Sequence, residues 1–140
     1  MKALCVIMFL ASGLVMAEDA RQLVTLPSAA QESLRQEMLD NLVAVNEVLS
    51  LMAAGKVKEA GEAAEIKLGV SAMGKHRSKP FEARPGPHMQ PAMHGIGMDG
   101  HKAVSEFAAV AKTGDRDKAQ ALLPNLTSAC VACHFSYRTR

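Results

Sequence analysis

The pentapeptide Cys130-Val131-Ala132-Cys133-His134 near the end of the chain carries residue types that can do chemistry at a fixed spacing. Two thiols separated by two residues and followed at once by an imidazole form the attachment sequence for c-type haem. On a helix, positions i, i+3 and i+4 lie on one side. The spacing therefore predicts that both thiols bond to the vinyl groups of one haem, while His134 reaches the iron from one face.

Three other interpretations of Cys130 and Cys133 compete with haem attachment. A redox dithiol is expected near a strand–helix–strand pattern, which the sequence does not show. A zinc site needs four ligands, and a second C-x-x-C or an H-x-H pair is absent from the sequence. A disulfide between the two thiols would leave His134 unexplained. Haem attachment accounts for all three residues.

The first 17 residues have the pattern of a secretory signal peptide. Lys2 precedes a short apolar run, and Val15-Met16-Ala17 resembles a cleavage site after small residues. An uncleaved N-terminal anchor is the alternative, but the run is short for a membrane span. Cleavage would leave residues 18–140, a single domain by size, whose cysteines both belong to the haem motif. We expect an exported, periplasmic protein without a membrane span in the mature chain.

Composition gives no indication of a nucleic-acid partner and points to a thin core. The chain has 16 Lys and Arg against 14 Asp and Glu, a net charge of +2, so a nucleic-acid partner is not indicated. Aromatic residues make up only 4% of the chain, and Trp is absent. A buried haem would add apolar surface that these side chains do not supply.

Apolar residues recur at helical spacing in four segments, and we found no strand pattern. The first segment follows Pro27, with Ser28 and Gln31 as a capping box and Gly55 as its stop. Its apolar stripe comprises Leu34, Met38, Leu42, Val45, Leu49 and Met52. The second helix is predicted from Val57 to Met73, and its Gly61 and Gly69 would let a neighbour approach closely.

A long proline-rich connection, residues 74–91, separates the second helix from the third. The third helix is predicted from Ala92 to Lys112, and the fourth runs from an N-cap at Asp115 to about Tyr137. Pro124 should kink or interrupt that last helix. Four helices joined in this order predict an all-α, antiparallel four-helix bundle with haem attached near the C-terminus.

The C-terminal motif with Tyr137 and Arg138 resembles that of the cytochrome c′ family, including its low-spin cytochrome c-556 relatives. Export signal, size, helix order and motif position are similar as well, and the proline-rich connection is a departure. The resemblance implies one covalent haem c and proximal iron ligation by His134. It also implies a basic residue, Arg138, near the cofactor, and a homodimer that packs through the first two helices.

The resemblance places the sixth iron ligand, where there is one, on the first helix. Met38, followed by Asn41, is similar to the low-spin pattern, in which a thioether binds the iron. Leu39, four residues after Arg35, is similar to the pattern that leaves the iron open. The two side chains lie about 100° apart on a helix, so only one faces the iron. Met38 could also be an ordinary core residue.

Residues 88–101 are rich in further imidazole and thioether groups, with three His and three Met. Such side chains can bind copper, although the methionines also suit the third helix. His76 and His88 are alternative haem ligands, and Arg84 could meet a haem propionate if the connection folds inward.

Two functions follow from these patterns. With Met38 bound, the protein is a monohaem electron carrier that exchanges single electrons with redox partner proteins. With an open iron, it binds NO or CO. An enzyme such as a peroxidase is not expected, because Met and Leu offer no distal acid–base group.

Overall fold

The computed structural model describes residues 18–140 of the chain. Four helices lie in that range: α1 (Ser28–Ala53), α2 (Val57–Leu68), α3 (Pro91–Lys112) and α4 (Arg116–Ser136). Two short strands, β1 (Gln22–Leu23) and β2 (Tyr137–Arg138), flank them. Three 3₁₀ turns, at Val70–Ala72, Phe81–Ala83 and Gly86–His88, lie in the connection between α2 and α3. The predicted helical fold with four helices is confirmed, while the predicted signal peptide lies outside the described residues.

Helix boundaries follow the glycine and capping signals in the sequence. Gly55, just after α1, has φ +75°, and Gly114, between α3 and α4, has φ +82°. A residue without Cβ adopts this left-handed conformation without strain. The side chain of Asp115 accepts a hydrogen bond from the Lys118 amide at 3.1 Å, so Asp115 caps α4 as predicted. None of the helices in residues 18–140 is both long and apolar enough to cross a bilayer.

The second helix ends at Leu68, so its predicted end at Met73 is wrong. Gly69 adopts an extended conformation, and the chain then turns through Val70–Ala72. The carboxylate of Glu65 accepts hydrogen bonds from Ser71 and, at 2.6 Å, from the Ser105 hydroxyl of α3. These side-chain bonds hold the turn against α3, an arrangement that helical periodicity cannot reveal.

The predicted capping box of α1 and the predicted interruption of α4 are also wrong. Pro27, with no side-chain hydrogen bond, occupies the N-cap of α1, so Ser28 and Gln31 do not form a capping box. Gln31 instead donates to the Thr139 carbonyl at 3.1 Å. The fourth helix continues through Pro124 without interruption. Pro124 removes one backbone donor, but the chain around it is exposed, so water can satisfy the freed carbonyl.

The main core lies among all four helices. Phe107 and Val48 are its largest fully buried side chains. Most of its other members are small or aliphatic: Ala44, Met52, Val57, Ala60, Ala64, Leu68, Val104, Ala108, Ala111, Ala119 and Leu126. A Cβ built at Gly61 would lie 2.8 Å from the Cβ of Ala111, so α2 and α3 approach closely at this glycine, as predicted.

The apolar stripe predicted for α1 is largely not buried. Leu34 and Met52 belong to the core, but Leu42 and Leu49 are 67% and 44% exposed, and Met38 is 36% exposed. The buried face of α1 is instead formed by Ala30, Ser33, Leu34, Ala44, Val48 and Met52. Small residues such as Ala30, Ser33 and Ala44 let α1 approach its neighbours on its buried face. The larger side chains of Met38, Leu42 and Leu49 therefore remain exposed as an apolar band on α1.

Candidate functional site

Helix α4 places the cysteine–histidine motif in its last two turns. Because the helix is continuous from Arg116 to Ser136, Cys130, Cys133 and His134 have the helical spacing that puts them on one side. Cys130 and His134 are exposed, and Cys133 is partly buried. Both thiols are free, so they do not form the disulfide that was one alternative. All three side chains can therefore be reached by a group outside the helix.

A second apolar cluster supports the motif from the core side. Val24, Leu26, Ala30, Leu34 and Met93 form this cluster, which we call the lower core. Cys133 and Tyr137 pack against it. It brings together the N-terminal segment, the first turns of α1 and the start of α3. The motif is therefore supported by three separate parts of the chain.

Helix α3 approaches α4 closely just before the motif. A Cβ built at Gly100 would lie 2.8 Å from the Cβ of Ala129, the residue that precedes Cys130. Such a separation is far below ordinary van der Waals contact, so only glycine fits at position 100 without displacement. The packing of α3 thus determines where the backbone of the motif lies.

Although Cys130 is exposed, the protein atoms around its thiol remove part of its hydration, and this desolvation raises the pKa of the thiol. Desolvation also raises the pKa of the Cys133 thiol, and Cys130 adds a smaller increase there. A nucleophilic redox dithiol depends on a lowered thiol pKa, usually from a nearby cation or a helix N-terminus. Here the thiols lie near the C-terminal end of α4. The electrostatics therefore do not favour the redox-dithiol alternative.

The two candidates for the distal position lie on different sides of α1. Leu34 belongs to the lower core against which Cys133 packs, and Met38 is one turn further along the same side. Leu39 is one turn before Val43, which lines an open groove between α1 and α2. That groove has a volume of about 590 Å³ and includes no residue of α4. Met38, at 36% exposed, is too accessible to be an ordinary core methionine.

Beside Met38, an ionic cluster ties the connection between α2 and α3 to α1. The carboxylate of Glu37 lies 2.9 Å from Nε2 of His76 and 3.0 Å from Nζ of Lys75. Nζ of Lys79 donates to Ser33 Oγ at 3.0 Å. These contacts fix the proline-rich connection along the first half of α1.

The remaining candidate residues of the connection and of α3 contact protein groups. Nε2 of His88 lies 3.2 Å from the Phe81 carbonyl, and Arg84 Nε donates to the Lys79 carbonyl at 2.7 Å. Nδ1 of His101 lies 2.7 Å from the Leu68 carbonyl, and Met93 is buried in the lower core. Across residues 18–140, no three His, Cys, Asp or Glu side chains are grouped so as to hold a metal ion.

Arg138 lies where the two ends of the described chain meet. β1 and β2 pair in parallel, with Gln22 beside Tyr137 and Leu23 beside Arg138. Nε of Arg138 is 3.5 Å from the carboxylate of Asp19. The predicted cofactor-side residue therefore has an acidic neighbour that the sequence did not indicate.

The chain matches no protein-family model, no curated protein and no solved structure.

The N-terminal residues that surround the motif could not be recognised from the sequence. Arg21 donates to the His134 carbonyl at 3.4 Å and pairs with Asp19. Val24 and Leu26 are buried although they precede the first helix. The one local indication of a strand was the β-branched pair Val24-Thr25 before Pro27. The strand itself, Gln22–Leu23, has two residues, which are too few to give a recognisable strand pattern.

Proposed function

We propose that the protein is a periplasmic monohaem c-type cytochrome that carries single electrons. Cys130 and Cys133 would hold the haem by thioether bonds, and His134 would bind its iron. The observation that carries the proposal is the helical motif in α4 with two free thiols and an exposed imidazole. The haem would supply the one-electron redox couple, and the chain would bind, orient and partly shield it.

The surface around α1 and α4 supports a large apolar ligand. Met38, Leu42 and Leu49 leave an apolar band exposed on α1, although apolar side chains of this size are usually buried. Between the second half of α1 and the first half of α4 lies a further opening of about 210 Å³, lined by Leu49, Met52 and Leu123 among others. That opening lies at the end of α4 opposite Cys130 and His134, so the exposed apolar band of α1 is the feature that supports a haem beside the motif.

Met38 is the sixth ligand in this proposal. Its support is its place one turn after Leu34, on the side of α1 that meets the lower core and Cys133. A thioether opposite an imidazole raises the reduction potential of haem iron, as suits an electron carrier. Leu39 is 54% exposed and lies one turn before Val43, which lines the groove toward α2, and this position does not favour an open distal pocket lined by Leu39. Gas binding at an open iron is the alternative function.

Connection lengths support the antiparallel bundle that accompanies this function. Residues 54–56 join α1 to α2, and residues 113–115 join α3 to α4. Three-residue connections between packed helices are typical of antiparallel neighbours. The longer connection between α2 and α3 allows their observed close contact at Gly61.

The proposal includes export and redox partner proteins. The proposed export is based on the signal-peptide pattern of the first 17 residues. Export to the periplasm agrees with haem attachment, because haem is joined to such motifs outside the cytoplasm. A homodimer through α1 and α2 is also proposed, because Leu39, Val43 and Ile66 are all more than half exposed on these helices. Sedimentation equilibrium of the haem-loaded protein, compared with Val43→Lys, would test the dimer.

An optical spectrum of the reduced protein, recorded with and without CO, tests the function. Electron transfer with Met38 bound predicts a low-spin spectrum that CO changes slowly and only in part, because the thioether must first leave. A high-spin spectrum that CO converts rapidly and completely would replace electron transfer with gas binding. Val43→Lys is the control for changes on α1 away from Met38. It alters the side of α1 that lines the groove and should keep the wild-type spectrum.

A further inference from the structure

The N-terminal residues 18–26, which we call the strap, lie across the end of the haem motif. Val24 donates its backbone N–H to the Arg138 carbonyl at 2.8 Å and extends the pairing of β1 with β2. Gln22 donates to the side chain of Gln90, next to the start of α3, at 2.9 Å. The strap is therefore fixed both to the C-terminus of the chain and to the helix behind the motif.

The strap touches the motif in two different ways. Its buried side chains Val24 and Leu26 belong to the lower core against which Cys133 packs. Its Arg21 donates to the backbone carbonyl of His134. Carbonyls in the last turn of a helix lack an intrahelical partner, and a cation there is favoured by the helix dipole. Arg21 thus stabilises the turn from which the imidazole projects.

Arg21 is itself held in place by Asp19. Nε and Nη2 of the guanidinium donate to the two carboxylate oxygens of Asp19 at 2.9 and 2.7 Å. The same carboxylate lies 3.5 Å from Arg138. Hydrogen bonds from Arg21 lower the pKa of Asp19 to about 2, so the carboxylate is charged throughout the neutral range. Two arginines from opposite ends of the described chain therefore share one anion beside the motif.

We propose that Asp19 and Arg21 are positioning residues that fix the last turn of α4, and through it the orientation of the His134 imidazole toward haem iron. Groups that orient a metal ligand tune the metal as well as its ligand. The inference rests on the proposed function, because it concerns an imidazole bound to haem. It assigns the strap a role in setting the electronic properties of the iron, beyond closing the fold.

The test compares three variants of the full haem-loaded protein: Arg21→Gln, Asp19→Asn and Arg116→Gln. Arg21→Gln and Asp19→Asn both break the ion pair between Asp19 and Arg21. The first lowers the net charge by one and the second raises it by one. Arg116→Gln removes one positive charge from the exposed start of the same helix and is the control. Haem-methyl proton shifts of the oxidised protein report imidazole orientation, and a redox titration reports the midpoint potential.

The proposal predicts that Arg21→Gln and Asp19→Asn displace the haem-methyl shifts in the same pattern, while Arg116→Gln keeps the wild-type pattern. If charge alone acted, the two variants would move the midpoint potential in opposite directions and leave the methyl pattern unchanged, which would overturn the proposal. Loss of the helical circular-dichroism signal in Arg21→Gln would also overturn it, because the strap would then be purely structural. Intact mass separates the two ideas: a chain without haem contradicts the proposed function itself.

Discussion

At the scale of single residues, two side chains decide the properties of the proposed cofactor site. His134 is exposed and adjacent to Cys133, so its position relative to the thiols follows from covalent geometry and one helical turn. Met38 belongs to a different helix, α1, whose packing would have to bring it to the proposed site. Its assignment therefore depends on tertiary structure much more than that of His134 does.

Replacing the proximal ligand should change the whole spectrum. In His134→Ala we expect a misligated haem and a lowered thermal midpoint, because no other imidazole shares the helical turn with both cysteines. Absorption spectra and thermal melts of the wild type and the variant measure both effects. His94→Ala, an exposed histidine of α3, is the control and should keep the wild-type values. An unchanged spectrum and midpoint in His134→Ala would contradict the assignment.

Replacing the distal ligand should abolish one absorption band. Oxidised haem with Met and His ligands shows a weak far-red band from the iron–thioether bond, which we expect in the wild type and not in Met38→Leu. Loss of the thioether should also lower the reduction potential. Met98→Leu changes a partly buried methionine of α3 and should keep the band. The same band in Met38→Leu would show that the sulfur comes from elsewhere.

Residue-scale prediction from the sequence worked where local spacing determines the geometry. The helical placement of Cys130, Cys133 and His134 needed only the motif and a helix. The roles of Asp19 and Arg21 could not be found in this way, because their partners, Arg138 and His134, are more than a hundred positions away.

At the scale of elements, glycine positions control how the helices meet. Gly61 allows α2 to approach α3, and Gly100 allows α3 to approach α4 beside Cys130. Gly97, on an exposed part of the same helix α3, has no atom within 4 Å of an added Cβ. These two glycines of α3 therefore differ in packing while sharing the same low helix propensity.

Adding a methyl group at these two positions should have opposite effects. Gly100→Ala should destabilise the protein by about 1–3 kcal/mol through overpacking against Ala129. It should also alter the haem spectrum by moving the backbone before Cys130. Gly97→Ala should be neutral or stabilise α3 by up to about 1 kcal/mol. Denaturant unfolding with spectra of both variants checks this, and equal effects would contradict the close approach at Gly100.

Glu65 connects α2, the following turn and α3 through its hydrogen bonds to Ser71 and Ser105. The Ser105 hydroxyl is the main cause that lowers the pKa of Glu65 below its ordinary value of 4.5. Since the folded state holds the carboxylate charged, the stabilisation is fully present above pH 4.5 and is lost as the pH falls through the lowered pKa.

Glu65→Gln should therefore cost about 1–2 kcal/mol of unfolding free energy at neutral pH, since charged hydrogen bonds are lost. The difference from wild type should shrink as the pH falls below 4.5. Denaturant titrations at several pH values measure it. Glu62→Gln, an exposed neighbour on α2, is the control. A cost that does not vary with pH would show that the carboxylate charge is not involved.

Element boundaries could be predicted where a single residue enforces them, as at Gly55, Gly114 and Asp115. The end of α2 could not, because the hydrogen bonds of Glu65 to Ser71 and to Ser105 of α3 compete with continued helix at Gly69. The α1 stripe was misplaced for a related reason. Large apolar residues mark one face in the sequence, but the small residues beside them allow closer packing, and the helices meet there instead.

At the scale of the whole molecule, three separate parts of the chain pack beside the motif. The strap, the start of α1 and the start of α3 support α4, while an apolar band on α1 stays exposed. A covalently bound haem would explain that exposure, the free thiols and the scarcity of aromatic residues together.

The most direct test of this account is the intact mass of the protein exported by cells that attach haem to c-type cytochromes, measured after acid–acetone extraction. We predict a chain that begins at Glu18 and carries the added mass of one haem. Cys130→Ala with Cys133→Ala should give the same chain without that addition. A wild-type mass equal to the bare polypeptide would show that Cys130 and Cys133 do not bind haem.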